Sequence, residues 1–505
     1  MLAITRTVAL VGLDGHIVEV EVDVSNGLPM FRIVGLPDTA VREAKERVRA
    51  SLKNSGFEFP LKRITVNLAP ADVKKEGAAY DLPIAIGVLA ASGQINPRQC
   101  GNFLYLGELS LDGAIRKVPG VLPGVMSGLE HGYNEIIVPL DNAAEASLIQ
   151  NARVYPATTL SELATFLLDG SSINPYKVGT SSPEDAGCAK NDLADVKGQR
   201  PAKRALEIAA AGGHNLVMIG SPGSGKTLLA KCIPGIMPNM TFEEALEVTK
   251  IHSLCGLLAP ESGLVKTRPF CSPHHSSTTA GMIGGGRHPR PGEITLAHNG
   301  VLFLDELPEF KKDIIEVLRQ PLEDNSVTIS RLSSTVTFPA RFQLVAAMNP
   351  CPCGFLGDDS RECSCTPYQI QRYIGKISGP LLDRIDLHVE VPRIKYKELS
   401  DNSKSVSSKV VKERIESARE VQYDRQGKCN AHLSPGEIPS YCQLNRSSIS
   451  LMKNIFDNLN LTARSYHRIL KTARTIADLE GIKNITEDHI AEATQYRVLD
   501  RKYWG

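Results

Sequence analysis

The chain has 505 residues, of which 42% are hydrophobic and 22% charged, values that are ordinary for globular proteins. At about 150 residues per domain, this length predicts roughly three domains and excludes a small disulfide-held fold. The 57 Lys and Arg residues balance 56 Asp and Glu residues, so a charged ligand has to be bound by a local patch of the surface.

The composition also bears on the compartment. No apolar run approaches the ~20 residues that span a bilayer, and the N-terminal residues alternate like a strand instead of following the order of a signal peptide. The chain has 11 Cys, and the clustering of some of them favours metal binding in a reducing compartment over pairwise disulfides. These features predict a soluble, cytoplasmic protein without membrane contact.

Residues 1–168 predict a compact α/β domain. Short β-like runs alternate there with helical runs, at Ile17–Val24, Ala40–Ser55, Arg63–Leu68, Pro83–Ala91 and Glu135–Val138. Residues 169–192 are rich in Gly, Pro and Ser and poor in apolar side chains, so we expect an interdomain linker in this segment.

The remaining chain predicts two further domains. Residues 193–395 alternate helices with apolar strands at Leu216–Ile219, Val301–Leu304 and Leu344–Ala347, a pattern typical of a parallel sheet with helical crossovers. Residues 396–505 predict a short helical bundle. Apolar positions recur there every three or four residues in Ser407–Gln426 and Leu461–Gly481, and a last helix begins near Thr486.

One loop of the central domain matches a phosphate-binding pattern completely. It follows the strand Leu216–Ile219, precedes a helical run that opens near Leu228, and consists of Gly220, Ser221, Pro222, Gly223, Ser224, Gly225, Lys226 and Thr227. We expect the nucleotide to be bound by this loop together with Leu228, with backbone N–H groups and the helix N-terminus surrounding the phosphates. Lys226 would reach the β- and γ-phosphates, and the Thr227 hydroxyl would bind Mg²⁺.

Two other strands end in side chains that suit the same chemistry. Val301–Leu304 leads directly to Asp305 and Glu306. Asp305 can hold Mg²⁺, and Glu306 can orient or deprotonate the attacking water. The strand Leu344–Ala347 leads to Asn349, whose amide would lie near the γ-phosphate in a sheet beside the phosphate loop.

This succession of motifs, followed by the segment Gly379–Leu387, resembles an AAA+ ATPase of the magnesium-chelatase-like branch. Three longer segments are similar to the ComM/YifB family in particular, at Arg268–His275, Pro291–Glu306 and Thr462–Leu470. The resemblance covers nearly the whole chain apart from the linker. It implies a hexameric motor that uses ATP and Mg²⁺, a helicase that drives branch migration of recombination junctions in natural transformation.

The resemblance also implies roles for arginines outside the phosphate loop. Arg384 would be an arginine finger that reaches the ATP of the neighbouring subunit; from its residue type alone, a surface ion pair is the alternative. Arg464 would be the sensor-2 arginine that touches the γ-phosphate. Arg468, four residues later on the same helical face, is the other candidate.

Two stretches without Asp or Glu predict local positive surfaces. Residues 262–292 carry four basic residues and three histidines, namely Lys266, Arg268, His274, His275, Arg287, His288 and Arg290. Residues 325–357 include a hairpin at Val327–Phe338 with Arg331 near its tip. The resemblance implies that residues 266–290 and 327–338 are pore loops, which would grip a DNA backbone in a salt-sensitive manner. Packing between subunits is the alternative.

Four cysteines lie in one loop after Asn349, at Cys351, Cys353, Cys363 and Cys365. Four thiolates suit a closed, tetrahedral structural zinc site, which leaves no open position for catalysis. The spacing of each pair is tighter than the usual C-x₂₋₄-C, and free or redox-active thiols are the alternative.

Residues 15–140 resemble the Lon-type protease domain, in the segments Lys75–Asp81 and Gly107–Gly113. That protease needs a serine nucleophile and a lysine base, whereas the matching positions here carry Ala79 and Leu122. We therefore expect the shape of the domain without proteolysis, and a role in binding or assembly.

The predicted fold class is thus α/β: a Lon-protease-like domain, an AAA+ P-loop domain with a parallel sheet, and a C-terminal helical lid. Two other functions stay open. One is a magnesium-chelatase-type remodelling ATPase that works on a protein partner, which the Lon-like domain argues against. The other is an ATP-dependent protease.

Overall fold

A computed structural model of the chain describes residues 1–177, 191–259, 263–286, 289–330, 335–358, 361–394, 406–459 and 461–504. The chain forms two compact units, Met1–Asp185 with Phe242–Val265, and Ala186–Thr241 with Lys266–Gly505. Within the described ranges, no helix combines the length and apolar character needed to cross a membrane.

The strands are β1 (Leu2–Val11), β2 (Asp14–Ser25), β3 (Met30–Val34), β4 (Arg63–Ala69), β5 (Leu104–Tyr105), β6 (Glu108–Leu109), β7 (Ile115–Arg116), β8 (Glu135–Pro139), β9 (Arg153–Ala157), β10 (Leu216–Ile219), β11 (Phe270–Cys271), β12 (Gly284–Gly285), β13 (Arg290–Pro291), β14 (Val301–Leu304), β15 (Ser326–Ser330), β16 (Thr335–Pro339), β17 (Gln343–Met348) and β18 (Leu387–Glu390).

The helices are α1 (Thr39–Asn54), α2 (Asp81–Ala91), α3 (Pro97–Cys100), α4 (Val121–Glu130), α5 (Ala143–Ala146), α6 (Leu160–Asp169), α7 (Arg200–Gly212), α8 (Lys226–Ile236), α9 (Phe242–Leu254), α10 (Thr279–Ile283), α11 (Glu293–Leu296), α12 (Lys312–Val317), α13 (Arg319–Asp324), α14 (Pro367–Ile374), α15 (Gly379–Leu382), α16 (Ser408–Gln426), α17 (Ile438–Tyr441), α18 (Arg446–Leu459), α19 (Ala463–Leu479) and α20 (Glu487–Trp504).

A mixed sheet forms the core of the first unit, in the order β3-β4-β2-β1-β5-β8-β9. β1 and β2 form a long antiparallel hairpin in which Val8 lies opposite Ile17. Val18, Val20 and Val22 are buried while the residues between them are partly exposed, because successive side chains of a strand point to opposite faces. Every residue of α2 is buried, and this helix packs against β1 and β2. The predicted α/β character of this region is confirmed.

Two segments extend the first unit beyond what the sequence indicates. α9 packs on α4, and the backbone N–H of Gly120 donates to the carbonyl of Ser253 over 2.8 Å. The first part of the predicted linker is also attached here, since Ile173 is buried and the Tyr176 N–H bonds the Val154 carbonyl over 2.7 Å. Residues 178–190 of that linker lie outside the described part of the chain.

The second unit contains a parallel sheet in the order β11-β14-β17-β10-β18, which confirms the predicted sheet type. β10, β14 and β17 are buried along their whole length, as expected of strands covered on both faces. In the register, Leu216 pairs with Val345 on one side of β10 and with Leu387 on the other. β10 therefore lies between two parallel neighbours.

The C-terminal helices share the core of this sheet. Ile469, Ala473 and Ile476 of α19 belong to the same buried cluster as Leu206 and Ala209 of α7. The predicted helices are confirmed as α16, α19 and α20. Two antiparallel hairpins, β12–β13 and β15–β16, form separate two-stranded sheets, and Val327, Ile329 and Phe338 of the second are buried.

Candidate nucleotide site

Three strand ends bring the candidate residues to one edge of the parallel sheet. β10 leads into the loop Gly220–Thr227, β14 into Asp305 and β17 into Asn349. Because these strands are parallel and adjacent, their carboxyl ends lie at the same edge, where ligands of open α/β sheets bind.

The loop after β10 has the backbone that a phosphate cradle needs. Gly223 and Gly225 have φ angles of +76° and +92°, a conformation that favours glycine. α8 begins at Lys226, and Leu228 lies exposed on its first turn. The N–H groups of this turn have no partner within the helix and can therefore donate to phosphate oxygens.

The Lys226 amine lies inside this cradle. Its Nζ donates to the carbonyls of Gly220 (2.6 Å) and Ser221 (3.0 Å) and to Oδ1 of Asn349 (3.3 Å). Burial lowers the pKa of Lys226 to about 8, although the carboxylates of Asp305 and Glu306 oppose the shift. A phosphate in the cradle would restore the preference for the charged amine.

The oxygen ligands for a cation lie next to the amine. The Thr227 hydroxyl donates to Oδ2 of Asp305 over 2.7 Å, and the N–H of Glu306 donates to Oδ1 of Asp305 over 3.0 Å. A hydroxyl beside a carboxylate at a phosphate cradle fits Mg²⁺, which takes few protein ligands and completes its shell with water and phosphate oxygens. When bound, the ion would neutralise charge on the phosphates.

Two side chains that the sequence analysis did not assign to the nucleotide site contact it. Nδ1 of His275 lies 3.4 Å from Oε2 of Glu306, and Glu306 has a left-handed backbone with φ +52°. Gln199 donates from its side-chain amide to the carbonyls of Ser224 (3.2 Å) and Pro392 (2.5 Å). In the sequence, the only signal for a role of Gln199 is its position directly before a predicted helix.

The structure does not bring Arg384 or Arg464 to the phosphate loop of the same chain. Nδ2 of Asn215, the residue before β10, donates to the Arg384 carbonyl over 2.8 Å, so Arg384 lies at the amino edge of the sheet. Gly220 is five residues further along the chain. At about 3.3 Å per residue, the two edges are about 16 Å apart.

The arginines instead line a common cavity of about 240 Å³ at the amino edge. Its charged and histidine lining consists of Glu323, Arg384, Asp386, His432, Arg464, His467, Arg468 and Lys471. Arg384 is mostly buried and ion-paired with Glu323. The cations outnumber the two carboxylates, so the cavity favours an anion.

The two sensor candidates differ in how firmly they are held. Arg468 donates to Asp386 over 2.6 Å, and although burial by itself raises the pKa of Asp386, Arg468 and His214 hold it well below its usual range. Arg464 lies 3.5 Å from Asp383 and its side chain is 65% exposed. Arg464 is therefore the more available of the two for an incoming anion.

The four clustered cysteines converge in space. The sulfurs of Cys351 and Cys353 lie 3.3 Å apart, both lie 3.6 Å from that of Cys363, and all four sulfurs including that of Cys365 are within 4.8 Å of one another. The group could hold a metal ion. A hydrogen bond from the Phe355 backbone contributes most to lowering the pKa of Cys353 to about 6.

The two acid-free stretches form neighbouring hairpins. A Cβ on Gly284 of β12 would lie 3.0 Å from Cδ1 of Ile329 on β15. Lys266 and Arg290 are exposed. The guanidinium of Arg268 instead donates hydrogen bonds to the backbone carbonyls of Pro238 (2.7 Å), Asn299 (2.7 Å) and Asn239 (3.2 Å). Arg268 is thus a structural residue and not part of an exposed basic surface. Arg287, His288 and Arg331 lie outside the described residues.

The two positions matched to the protease dyad are apolar and packed. Ala79 is half-buried, and Leu122 is fully buried with its N–H donating to the Ser253 hydroxyl over 3.3 Å. Neither side chain can attack a carbonyl or accept a proton.

Models of known protein families match three successive segments of the chain. The family model for "Magnesium chelatase, subunit ChlI" matches residues 192–399, that for "Subunit ChlI of Mg-chelatase" residues 20–142, and that for "Magnesium chelatase, subunit ChlI C-terminal" residues 405–497. "Competence protein ComM" of Haemophilus influenzae is 46% identical over 507 residues, 99% of this chain and 98% of that protein. The chain belongs to the magnesium-chelatase-like ComM/YifB family.

Other relatives extend this result. "Uncharacterized protein YifB" of Salmonella typhimurium is 46% identical over 503 residues, 99% of this chain and 98% of its own. A more distant similarity, 24% identity over 174 residues, links 34% of the chain to 17% of "DNA helicase MCM8" of Xenopus laevis. As a member of the ComM/YifB family the protein is an AAA+ ATPase, for which ATP and Mg²⁺ are the implied cofactors.

Proposed function

We propose that the protein is a ring-forming motor that couples Mg-ATP hydrolysis to movement on DNA, and that it drives branch migration of recombination junctions during natural transformation. One observation carries the proposal. The phosphate loop lies at the carboxyl edge of the sheet, while a cavity with an excess of cations lies at the amino edge of the same sheet.

The distance between these edges argues for a site shared by two subunits. Arg384 and Arg464 lie about 16 Å of strand away from the loop that holds Lys226, further than their side chains extend across the sheet. A head-to-tail neighbour would bring the cationic cavity of one chain to the phosphate loop of the next. Repeating such a contact around an axis closes a ring, and we propose the hexamer that the family resemblance implies.

Within the shared site each residue has a distinct task. Lys226 binds the β- and γ-phosphates, Thr227 and Asp305 hold Mg²⁺, Glu306 activates water, and Asn349 holds water near the γ-phosphate. Arg384 and Arg464 act in trans on the charge that develops on the transferred phosphoryl group. We favour Arg464 over Arg468 because Asp386 already neutralises Arg468.

Two observations support DNA as the substrate along which the motor moves. The similarity to a DNA helicase and to a competence protein agrees with a role on nucleic acid. The adjacent hairpins β12–β13 and β15–β16 carry no carboxylate, Arg290 of β13 is exposed, and Lys266 is exposed earlier in the same acid-free stretch. Such loops suit a phosphate backbone that is bound without regard to sequence.

We further propose that the four cysteines hold a structural zinc ion. Zn–S bonds of about 2.3 Å in a tetrahedron place the sulfurs about 3.8 Å apart. The observed separations of 3.3 and 3.6 Å are close to that value. A site that depends on reduced thiols suits the cytoplasm, which we propose as the location.

A branch-migration assay tests the proposed motor activity directly. A fluorescently labelled four-way junction is incubated with the protein and Mg-ATP, and duplex products are followed over time. We expect products with the wild type and with Glu309→Gln, a matched neighbouring acid, and none with Glu306→Gln. ATP hydrolysis at full rate without junction conversion would contradict the proposal and favour an ATPase that remodels a protein partner.

A further inference from the structure

The cysteine loop touches the phosphate loop. Gly354, the residue after Cys353, has φ +85°, and a Cβ there would lie 2.6 and 2.7 Å from ring atoms of Pro222 and 3.8 Å from Cγ of Asn349. Its backbone is therefore packed against the turn that must close around the phosphates. Only glycine allows so close an approach with this backbone conformation.

The other end of the cysteine loop leads to a second contact with the same site. α14 begins directly after Cys365 and Thr366, with a capping box between Thr366 and Gln369. Tyr373 on this helix interacts with the main chain of Asn349 and is largely buried. Asn349 is thus bordered by the start of the cysteine loop and by the helix that follows it.

The shape of this loop depends on what holds the sulfurs. Four thiol groups within 4.8 Å of one another lose their protons to bind a metal, and as thiolates they repel unless a cation lies between them. A bound metal fixes the positions of Cys351, Cys353, Cys363 and Cys365 at once. Gly354 directly follows Cys353 in the chain and packs against Pro222 of the phosphate loop, so the metal geometry then determines its position.

We propose that the metal at Cys351, Cys353, Cys363 and Cys365 is a required part of the nucleotide site, because it holds Gly354 against Pro222 and keeps Asn349 in place. This inference rests on the proposed zinc and nucleotide sites. It adds that nucleotide affinity depends on metal occupancy through the contacts of Gly354 with Pro222 and Asn349.

The test measures metal content and nucleotide affinity on the same samples of full-length protein. Zinc and iron per chain are determined by mass spectrometry, and binding is measured with a fluorescent ADP analogue. The double variant Cys363→Ser/Cys365→Ser removes two ligands far from Asn349 in sequence. Cys255→Ser, similarly half-exposed but outside the cluster, is the matched control.

We expect about one metal per chain and equal ADP affinity in the wild type and Cys255→Ser. The double variant should lose the metal and bind ADP about tenfold more weakly, the scale on which support residues act on a site. Gly354→Ala should keep the metal yet weaken ADP binding, because its methyl group collides with Pro222. If the double variant misfolds, chelation of the wild type followed by return of zinc gives the same comparison.

The outcomes separate this inference from the proposals beneath it. A metal-free chain that binds ADP within twofold of the wild type overturns the coupling and leaves both sites standing. A wild type without metal overturns the metal site together with the coupling. A metal-loaded wild type that does not bind ADP overturns the nucleotide site instead.

Discussion

The buried amine of Lys226 makes nucleotide affinity depend on pH in a defined direction. Its pKa in the free protein is about 8, lowered by burial, whereas phosphate contacts should return it to its usual value near 10.4. Below pH 8 the amine already carries its proton and binding needs no proton. Above pH 8 binding must take up a proton, so affinity falls as pH rises.

The size of the effect follows from these two values. The apparent Kd should rise about tenfold from pH 7 to pH 9, and ADP binding should take up about 0.9 proton at pH 9 but only about 0.1 at pH 7. ADP suits the assay because its terminal phosphate, with a pKa near 6, stays ionised over most of this range. Titration calorimetry in buffers of different ionisation enthalpy measures the protons directly.

A matched variant isolates the contribution of Lys226. Lys226→Met should bind ADP weakly, and its affinity should no longer change between pH 7 and pH 9. If the wild type bound ADP equally well at both values, or released protons on binding, the interpretation of a partly deprotonated amine in the free loop would be wrong.

Three further predictions concern other parts of the site. Arg384→Ala and Lys226→Ala should each abolish ATP turnover when assayed alone. A one-to-one mixture of the two variants should regain about a quarter of the wild-type rate, because one random pair of neighbouring subunits in four combines an intact phosphate loop with an intact Arg384. No recovery of steady-state turnover in the mixture would argue against action in trans. Asp386→Asn should cost about 3–5 kcal/mol of stability by leaving Arg468 without its buried partner, and an unchanged denaturation midpoint would count against that pair. His275→Ala should lower kcat without changing the KM for ATP, because His275 contacts Glu306 and not the phosphate loop; a KM effect alone would contradict this role.

The parts of the fold that local sequence specifies were predictable. The strand at β10, the glycine-rich loop and the helix α8 follow one another in the chain, so their pattern contains the whole arrangement. The same holds for Asp305 after β14 and for the long helices α16 and α19, whose apolar positions repeat at helical spacing.

Features that depend on packing between distant segments were not predictable. The sequence contains Arg384 and Arg464, but only the pairing of β10 with β18 places Arg384 at the amino edge of the sheet, and only the folded cavity places Arg464 beside it. Likewise, the apolar pattern of α9 does not say that its partner is α4. The contact of Gly354 with Pro222 joins two loops more than a hundred residues apart, and a lone glycine gives no signal of its neighbour.

The most direct test of the central claim is ATP turnover with and without a four-way DNA junction over a range of salt concentrations, with Glu306→Gln as the blank. A motor that grips the DNA backbone through local positive loops should be stimulated by the junction, and the stimulation should fall steeply as salt rises. Turnover that is the same with and without DNA at low salt would contradict the account.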